Sequence, residues 1–427
     1  MNIAIWGLGV SGLGALKFLS KEKKHKIFVI NQGPKETWYN DQLANYIEIG
    51  SCYSQEEAHS LVDELDLILL SPGVDPRIDA LAKFTHVKKV CDIEYVSHYI
   101  TKPIVAVTGT NGKTSTVTMI GECLLLSGAK VFIGGNIGRS PFEAMMENIN
   151  SFDYFVFELS SFQLELMDRF CPKISVILNI SENHMERYEH FDEYYQAKLN
   201  IFKNQKQEDY LLVSRHLKLP PHKANTIRIS EISGYDFSKS KLVGPHMRQN
   251  FFVVENVLNI LKIESAKLIL QNFMNSFSGV DFRLQFKKTF KGVDFYNDAK
   301  STNTASTVAA VNALSDKKLI LILGGKLRDE TQDLLTPLRK LNIPISIYLF
   351  GESASFLEKQ LVDSFEITKK NRLEDVLRCL DLRGSDTVLF SPAFPSFDQY
   401  VNYVERGKDF DRLIEKLFVI NNSIGGE

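Results

Sequence analysis

The sequence predicts an α/β protein made of three domains with largely parallel sheets. Short β-branched runs alternate with amphipathic helical patterns along almost the whole chain, which is typical of strand–helix–strand units. Two glycine-rich loops, at 7–12 and 109–112, each stand between a predicted strand and a predicted helix. The length of 427 residues exceeds one ordinary core and favours two to four domains, at about 100–200 residues per domain.

The composition limits which binding partners and which cellular compartment are expected for the protein. Hydrophobic residues make up 44% of the chain and charged residues 24%, as in ordinary globular proteins. The formal net charge of −2 provides no basic field for nucleic acid or anionic lipid, so neither partner is expected. The five cysteines contain no Cys-x-x-Cys pair, which favours reduced thiols and a cytoplasmic protein. No apolar run reaches the about 18 residues of a membrane helix, so no membrane insertion is expected.

The first predicted domain covers residues 1–93 and has a Rossmann-like order. A strand at 2–6 leads into Gly7-Leu-Gly9-Val-Ser-Gly12, a helix follows to about Ser20, and further strands are predicted at 27–30 and 65–70. The glycine pattern alone is a weak signal, because Asn31 stands where a dinucleotide-binding unit carries an acid. Taken by itself, it leaves a nicotinamide-dependent dehydrogenase as an alternative.

The second predicted domain, 94–278, contains the most informative stretch of the chain. A strand at 104–108 is followed by Gly109-Thr-Asn-Gly-Lys113-Thr114 and then by a helical pattern. Glycines let backbone N–H groups point inward, the helix N-terminus favours an anion, Lys113 adds a point charge, and the Thr114 hydroxyl suits Mg²⁺. Val107 replaces the first glycine of the usual loop, yet the order of strand, loop, Lys-Thr and helix is complete. We therefore predict a P-loop ATPase-like domain that binds a nucleoside triphosphate.

The remaining strands of the second domain and those of the third follow from apolar runs. In the second domain they are predicted at 131–133, 154–158 and 174–179, whereas 205–240 is predicted to be irregular. The third domain, 279–427, is predicted to be Rossmann-like, with strands at 293–296, 318–323, 345–350 and 386–391 and a helix at about 402–418. Ligands are expected beyond the carboxyl ends of these strands.

An ordered set of motifs along essentially the whole chain resembles the Mur ligases, the ATP-dependent amide ligases of bacterial cell-wall synthesis. The motifs are Gly109-Thr-Asn-Gly-Lys-Thr114, Gly134-Gly-Asn-Ile-Gly138, Glu158-Leu-Ser-Ser-Phe-Gln-Leu-Glu165, Asn179-Ile-Ser-Glu-Asn-His-Met-Glu-Arg-Tyr188, Ala197-Lys198-Leu, Asn297-Asp-Ala-Lys-Ser-Thr-Asn303, Ser391-Pro-Ala, Ser396-Phe-Asp-Gln399 and Glu405-Arg-Gly407. Each motif alone is weak, but the ordered set is specific. The resemblance implies three domains, for a UDP-sugar, ATP and an incoming amino acid.

Among these ligases, the set is most similar to the member that joins D-glutamate to UDP-N-acetylmuramoyl-L-alanine. The resemblance therefore implies that amide-forming reaction, driven by ATP through an acyl phosphate, in peptidoglycan precursor synthesis and hence in cell shape and cell division. It implies a monomer in the cytoplasm. Two alternatives in the same class stay open: a sister ligase that adds another amino acid, and a folylpolyglutamate synthase-like enzyme. A third alternative, a nucleotide-binding regulatory module without catalysis, is disfavoured because the catalytic set is intact.

The resemblance implies an ATP site and two Mg²⁺ ions. The ATP residues are Gly109, Thr110, Asn111, Gly112, Lys113, Thr114, Ser115, Asn250, Arg283 and Asp298. Thr114 and Glu158 are expected to bind the first Mg²⁺, and His184 and Lys198 the second. Glu158 ends an apolar strand where a metal-binding acid is expected, and the alternative is an ordinary carboxylate at a strand end. Without the resemblance, His184 would be a solvated loop histidine.

Lys198 shares an apolar helical stripe with residues such as Tyr194 and Phe202. One interpretation is a snorkelling lysine whose amine reaches water. The other starts from burial, which lowers the pKa of a lysine and leaves a neutral amine that reacts with CO₂. Similar ligases carry a carbamylated lysine at the matching position, so we predict a carbamate on Lys198 that offers oxygen to Mg²⁺.

The resemblance also implies substrate residues in the first and third domains, together with Asn136 of the second. The UDP-substrate is expected at Val10, Ser11, Ser71 and Asn136, and D-glutamate at Thr302, Arg328, Ser396 and Tyr403. Lys300 is expected to join Lys113, Glu158, His184 and Lys198 in the catalytic centre. The chain departs from the family pattern at Asn31, where members often carry an acid, at Met247, where they carry an amide, and at Arg328, where some carry a lysine.

Overall fold

The chain forms two compact units of α/β structure. The computed structural model describes residues 1–185, 187–240, 245–314, 318–327, 334–341, 343–383 and 386–419. The first unit comprises Met1–Ser233 together with Arg248–Leu270, and the second comprises Gly234–Met247 together with the chain from Gln271 onward. Two sheets belong to the first unit and one to the second. The predicted α/β class is therefore confirmed.

The first sheet is parallel and has the strand order β3-β2-β1-β4-β5. Its strands are β1 (Asn2–Trp6), β2 (Lys26–Asn31), β3 (Cys52–Ser54), β4 (Leu67–Leu70) and β5 (Lys88–Val90), and its helices are α1 (Val10–Glu22), α2 (Asp41–Ala44), α3 (Asp79–Ala82) and α4 (Asp92–Ser97). Alternate residues of β1 enter two cores: Ile5 packs with Leu16 of α1, whereas Trp6 packs against Phe84 on the other face. Both faces are covered, as a parallel sheet requires.

The second sheet is also parallel, in the order β11-β10-β9-β6-β8-β7. Its strands are β6 (Ile104–Thr108), β7 (Val131–Gly135), β8 (Tyr154–Glu158), β9 (Ile174–Ile177), β10 (Tyr210–Ser214) and β11 (Asn225–Ile229); the helices of this part of the chain are α5 (Lys113–Leu126), α6 (Pro141–Met146), α7 (Ser161–Glu165), α8 (Phe191–Leu199), α9 (Pro245–Ile260) and α10 (Ala266–Ser276). Val107 pairs with Glu158 on one side and with Val176 on the other. The loops that follow these three strands therefore leave the sheet at one edge.

The expectation that 205–240 is irregular was wrong, because β10 and β11 lie within it. Residues 211–213 of β10 are fully buried beside β9, whereas β11 is a sheet edge whose side chains are mostly exposed. The adjacent prolines Pro220 and Pro221 fall in the loop between the two strands. The short strand β11 carries little hydrophobic periodicity because its side chains are mostly polar and face solvent, whereas β10 is an apolar run that the prediction overlooked.

The third sheet has the order β12-β13-β17-β14-β15-β16, in which only β12 is antiparallel to its neighbour. Its strands are β12 (Gln285–Phe290), β13 (Val293–Asn297), β14 (Lys318–Gly324), β15 (Ile345–Phe350), β16 (Glu366–Lys369) and β17 (Asp386–Ala393), and its helices are α11 (Thr304–Ala313), α12 (Leu335–Lys340), α13 (Ala354–Leu361), α14 (Leu373–Arg378) and α15 (Tyr403–Leu417). The four predicted strands and the last helix are confirmed, whereas the two edge strands, β12 and β16, were not predicted. Among the described residues no helix is both long and apolar enough to cross a membrane.

Candidate active site

The loop between β6 and α5 forms a cradle of backbone groups. Gly112 has φ +82°, and a Cβ there would lie 3.3 Å from Leu178 Cδ1 and 3.8 Å from the Asn250 side-chain oxygen. The Lys113 ammonium donates hydrogen bonds to the carbonyl oxygens of Gly109 at 2.8 Å and Thr110 at 2.9 Å. A positive φ at Gly112 and a lysine at the start of α5 fit a bound phosphate chain.

The loop after β9 holds this cradle in place. The Asn179 side chain accepts a hydrogen bond from the Asn111 N–H at 2.8 Å and donates one to the Asn111 carbonyl at 3.1 Å. The Thr110 hydroxyl accepts from the Ser181 N–H at 3.0 Å and lies 3.1 Å from the Tyr194 hydroxyl. Asn179 belongs to one of the sequence motifs, but no role was predicted for it. Its position directly after an apolar strand, at the carboxyl edge of the sheet, is the signal that could have identified it.

Glu158 meets two polar side chains at the end of β8. The Thr114 hydroxyl donates to one carboxylate oxygen at 2.7 Å, and the Asn136 amide donates to the other at 2.9 Å. Glu158 is 2% exposed, and the neighbouring Gly135 approaches so closely that a Cβ would lie 2.4 Å from the Glu158 carbonyl oxygen. A hydroxyl and a carboxylate at this separation are the oxygen donors that a hard divalent cation prefers.

Lys198 of α8 is buried beneath the cradle, so the snorkelling interpretation was wrong. Its side chain is 1% exposed, and its ammonium donates to the Gly109 carbonyl at 3.0 Å and to the Thr108 hydroxyl at 3.3 Å. The nitrogen also lies 4.7 Å from the centre of the Tyr194 ring. The pKa of Lys198 lies well below 10.5, mainly because the group is buried and secondly because the Lys113 cation is nearby; the Glu158 carboxylate opposes this shift.

His184 lies near the same aromatic ring, in the loop after β9. Its ring centre is 5.0 Å from that of Phe162 and 6.4 Å from that of Tyr194, and its φ is +59°. Its carbonyl accepts hydrogen bonds from the N–H groups of Arg187 and Tyr188 at 2.9 and 3.1 Å. Tyr194 therefore neighbours both residues expected at the second metal ion.

Arg187 belongs to the motif at 179–188, but the sequence analysis assigned it no role. Its guanidinium stacks on the Phe162 ring at 3.7 Å and donates to Glu165 at 3.0 Å. It also lies 3.3 Å from the Pro72 carbonyl, in the segment that follows β4 of the first sheet. Arg187 thereby connects the His184 loop to the glycine-loop end of the first sheet.

The glycine loop of the first sheet is closed by Ser71. Its hydroxyl donates to the Gly7 carbonyl at 2.7 Å, and a Cβ on Gly12 would lie 1.9 Å from that same carbonyl oxygen. Ser11 hydrogen-bonds the buried Asp92, whose pKa is raised by burial. Val10 begins α1 and is 67% exposed, whereas Asn136 lies against Glu158 in the second sheet. Asp92, which also accepts from Gln163 at 3.0 Å, had no motif to mark it.

In the second unit, Asp298 sits in a dense polar cluster. Its carboxylate accepts from the Ser391 hydroxyl at 2.6 Å and from the Leu284 N–H at 2.9 Å. Burial raises the pKa of Asp298 to about 6, although Ser301, Ser391, Leu284 and the charge of Arg283 oppose the rise.

The predicted amino-acid residues lie on segments that follow the strands of the third sheet. The Lys300 ammonium is 5.7 Å from the centre of the Tyr403 ring, and Tyr403 is the first residue of α15. Ser396 is buried and accepts the Tyr400 N–H through its carbonyl at 2.9 Å, whereas Thr302 is half-buried. Arg328 lies outside the described residues.

The comparisons with known proteins agree with this geometry. The Mur ligase middle domain matches residues 107–276. A protein of Francisella philomiragia named UDP-N-acetylmuramoylalanine–D-glutamate ligase is 32% identical over 419 residues, covering 94% of this chain and 99% of that protein.

Two solved structures from Thermotoga maritima share the fold. The MurF ligase in complex with ADP has a TM-score of 0.58 at 16% identity and covers 97% of this chain and 98% of its own. The UDP-N-acetylmuramate-alanine ligase MurC has a TM-score of 0.56 at 17% identity and covers 97% and 99%. The full-length sequence relationship carries the assignment, and the chain belongs to the Mur ligase family.

Proposed function

We propose that this ATP-dependent ligase joins D-glutamate to UDP-N-acetylmuramoyl-L-alanine and releases ADP and phosphate. The observation that carries the proposal is the cradle itself: Gly112 with its positive φ, Lys113 at the start of α5, and the hydrogen-bonded Thr114–Glu158 pair. The D-glutamate specificity rests on the names of relatives such as that of Francisella philomiragia. The product would be a peptidoglycan precursor, which connects the enzyme to cell shape and cell division.

The chemistry requires an activated carboxylate. A carboxylate repels an approaching amine electrostatically and has no good leaving group, so one of its oxygens first attacks the terminal phosphorus of ATP and ADP departs. The D-glutamate amine then attacks the carbonyl carbon of the acyl phosphate, and inorganic phosphate leaves from the tetrahedral intermediate. The protein supplies positioning and charge neutralisation. Lys113 would neutralise phosphate charge, and residues 109–115, Asn250, Arg283 and Asp298 are the residues proposed to bind the nucleotide.

The first Mg²⁺ would be held by Thr114 and Glu158. Among the described residues no three His, Cys, Asp or Glu side chains come together as a metal site. This fits Mg²⁺, which uses one or two carboxylates and completes its shell with phosphate oxygens and water. When bound, the ion supplies positive charge for the developing phosphate charge. A second ion would use His184 together with a modified Lys198.

The modification proposed at Lys198 is a carbamate. The neutral amine attacks the carbon of CO₂, a nitrogen–carbon bond forms, the displaced electron pair moves to oxygen, and the nitrogen releases one proton to water. Burial supports the neutral amine, and the modification turns a cation into an oxygen ligand. Native mass analysis in bicarbonate is expected to show a mass gain of one CO₂ that is absent in Lys198→Ala; an unmodified lysine beside bound Mg²⁺ would refute the carbamate.

The substrates would occupy the carboxyl edges of the first and third sheets. Val10, Ser11, Ser71 and Asn136 are proposed for the UDP-substrate. Thr302, Arg328, Ser396 and Tyr403 are proposed for D-glutamate, with Lys300 in the catalytic centre. We further propose domain bounds at 1–93, 94–278 and 279–427, because each of these segments contains one of the three sheets. The enzyme is proposed to act as a monomer in the cytoplasm.

The function is tested with purified protein, ATP, Mg²⁺ and UDP-N-acetylmuramoyl-L-alanine, while the amino acid is varied. Phosphate release and amide product are expected only with D-glutamate. Turnover with a different amino acid would identify a sister ligase, and turnover with a folate acceptor a folylpolyglutamate synthase-like enzyme. ATP binding without turnover would indicate a regulatory module, and binding of NAD(H) would revive the dehydrogenase alternative.

A further inference from the structure

Arg406 is a fully buried arginine at the carboxyl edge of the third sheet. It lies in the first turns of α15, with an exposed fraction of 0%. One terminal guanidinium nitrogen donates to the Phe394 carbonyl at 2.9 Å and lies 3.4 Å from that of Gly324, and the other donates to the Ala299 carbonyl at 3.0 Å. Phe394, Gly324 and Ala299 stand at the ends of β17, β14 and β13. One side chain therefore ties together the exits of three adjacent parallel strands.

The guanidinium is solvated by carbonyl dipoles rather than by a carboxylate. Within the part of the chain that the structure describes, no Asp or Glu oxygen comes within 4.0 Å of its nitrogens. Burial lowers the pKa of Arg406 to about 10, against an opposing attraction from Asp398, so the group keeps its positive charge at neutral pH. A buried cation without an ion-pair partner gives this sheet edge a positive potential that water screens poorly.

The surrounding backbone is shaped around the guanidinium. A Cβ on Gly325 would lie 2.9 Å from a guanidinium nitrogen and 2.3 Å from the Pro395 carbonyl oxygen, and Gly325 itself has φ +137°. Ala393, at the end of β17, has φ +66°, which is a strained conformation for alanine. A planar group with fixed donor directions can meet several carbonyls at once, whereas a lysine ammonium lacks this fork.

Two of the segments that Arg406 holds, and its own helix, carry residues proposed for the amino acid or for the catalytic centre. Lys300 follows Ala299 directly, Ser396 lies two residues after Phe394, and Tyr403 precedes Arg406 by one helical turn. Arg406 itself is fully buried, so its charge acts on a ligand through these segments and not by contact. Arg406 therefore influences both the geometry of the pocket and its electrostatic potential.

We propose that Arg406 is the positioning residue of the D-glutamate pocket and that its charge makes the pocket prefer a doubly anionic amino acid. The inference rests on the proposed function, because it takes Ser396 and Tyr403 as residues of the D-glutamate pocket and Lys300 as part of the catalytic centre. It predicts an effect on the amino-acid substrate that is separate from any effect on ATP or on the UDP-substrate.

The test compares Arg406→Met, Arg406→Lys and the matched control Arg412→Met, in which a solvent-exposed arginine of the same helix is replaced. The KM values for D-glutamate, ATP and UDP-N-acetylmuramoyl-L-alanine are measured, together with the kcat/KM ratio of D-glutamate to D-glutamine. Arg406→Met is expected to raise the KM for D-glutamate at least about tenfold and to reduce that ratio, with the other two KM values within about twofold. Arg406→Lys keeps the charge, so its ratio should fall less, and Arg412→Met should match the wild type.

Thermal unfolding of each variant distinguishes an effect on the amino-acid pocket from a general loss of stability. If Arg406→Met does not fold, Arg406→Lys is used instead, and the inference again predicts a raised KM for D-glutamate with little change in the KM values for ATP and the UDP-substrate. An unchanged KM for D-glutamate in a folded variant, an equal rise of all three KM values, or failure of both variants to fold would overturn the inference. A wild-type enzyme that does not use D-glutamate would instead refute the proposed function.

Discussion

Thr114 and Glu158 meet through a hydrogen bond of 2.7 Å, although 44 residues separate them in the chain. The bond is possible because β6 and β8 are neighbours in the sheet. It joins the hydroxyl of Thr114, in the first turn of α5, to the buried carboxylate of Glu158 at the end of β8. A second bond from Asn136, at 2.9 Å, fixes the other carboxylate oxygen. The site therefore presents two oriented oxygens before any cation binds, which reduces the entropy lost on binding.

Replacement of Glu158 by glutamine tests that carboxylate. The Glu158→Gln side chain keeps its shape and can still accept the Thr114 bond, and its NH₂ group can donate to Asn136 once that amide is turned over. It loses the charge that a divalent cation requires. We expect the rate of amide formation to fall at least about 100-fold, with native thermal stability retained. Phosphate release is measured over a range of Mg²⁺ concentrations, beside the exposed control Glu208→Gln. A rate equal to that of the control would remove Glu158 from the metal site.

Replacement of Lys113 by alanine tests the phosphate cradle. In Lys113→Ala the cation that bonds the Gly109 and Thr110 carbonyls is lost, and phosphate charge goes unneutralised. The expected loss of amide formation is at least about 100-fold, whereas the exposed Lys102→Ala should behave as the wild type. Product is measured directly under saturating ATP. Undiminished product formation would contradict the use of ATP in this cleft.

A comparison of Gly135 with Gly128 tests the close contact between the Gly135 backbone and the Glu158 carbonyl. Both have positive φ, at +104° and +88°, but only at Gly135 would a Cβ meet another atom, the Glu158 carbonyl oxygen at 2.4 Å. We expect Gly128→Ala to cost about 1 kcal/mol of unfolding free energy through strain alone, and Gly135→Ala about 2–4 kcal/mol through strain plus the clash. Urea unfolding of the two variants gives the difference. Equal unfolding free energies would show that the backbone yields at Glu158.

Lys198 predicts a pH-dependent stability. Its folded pKa lies below its unfolded value of 10.5, so the unfolded chain binds more protons in the window between those two values. Wild-type stability therefore rises with pH across that window relative to Lys198→Met, by at most about 1.4 kcal/mol per pH unit. In CO₂-depleted buffer we expect Lys198→Met to unfold at a higher temperature near neutral pH and the gap to narrow toward pH 10. The exposed Lys130→Met should show no such trend; a constant gap for Lys198→Met would contradict the burial cost.

Asp298 predicts a dependence on pH of the opposite sign. Its folded pKa of about 6 lies above the ordinary value of 3.8, so the folded chain binds more protons between those values. Stability relative to Asp298→Asn therefore falls as pH rises through this window, by about 3 kcal/mol in total, and stays level above it. Urea unfolding of both proteins at several pH values measures the difference. A relative stability that rises over this range would show that Asp298 is held as an anion.

Several parts of the site could be predicted from local sequence because they depend on neighbours in the chain. Strand, glycine loop, Lys113 and helix follow one another directly, and the loop has no freedom to place Lys113 anywhere except at the start of α5. The helical stripe of 191–202 likewise placed Lys198 on an apolar face, since helical periodicity puts Tyr194 and Lys198 one turn apart, and the resemblance favoured burial over snorkelling. Edge strands such as β11 and β16 were missed because exposed polar residues lack that periodicity.

What the sequence by itself determined was the class of fold, from the alternation of strands and helices along the chain, and the cradle, from residues that follow one another directly between β6 and α5. Only the tertiary structure decided that Lys198 bonds the Gly109 carbonyl, 89 residues away, and that Arg406 joins the ends of three strands. These contacts depend on strand order, which places β6 between β8 and β9 and β17 between β13 and β14. Strand order results from the packing of whole sheets and helices, and the periodicity of a single segment carries no record of it.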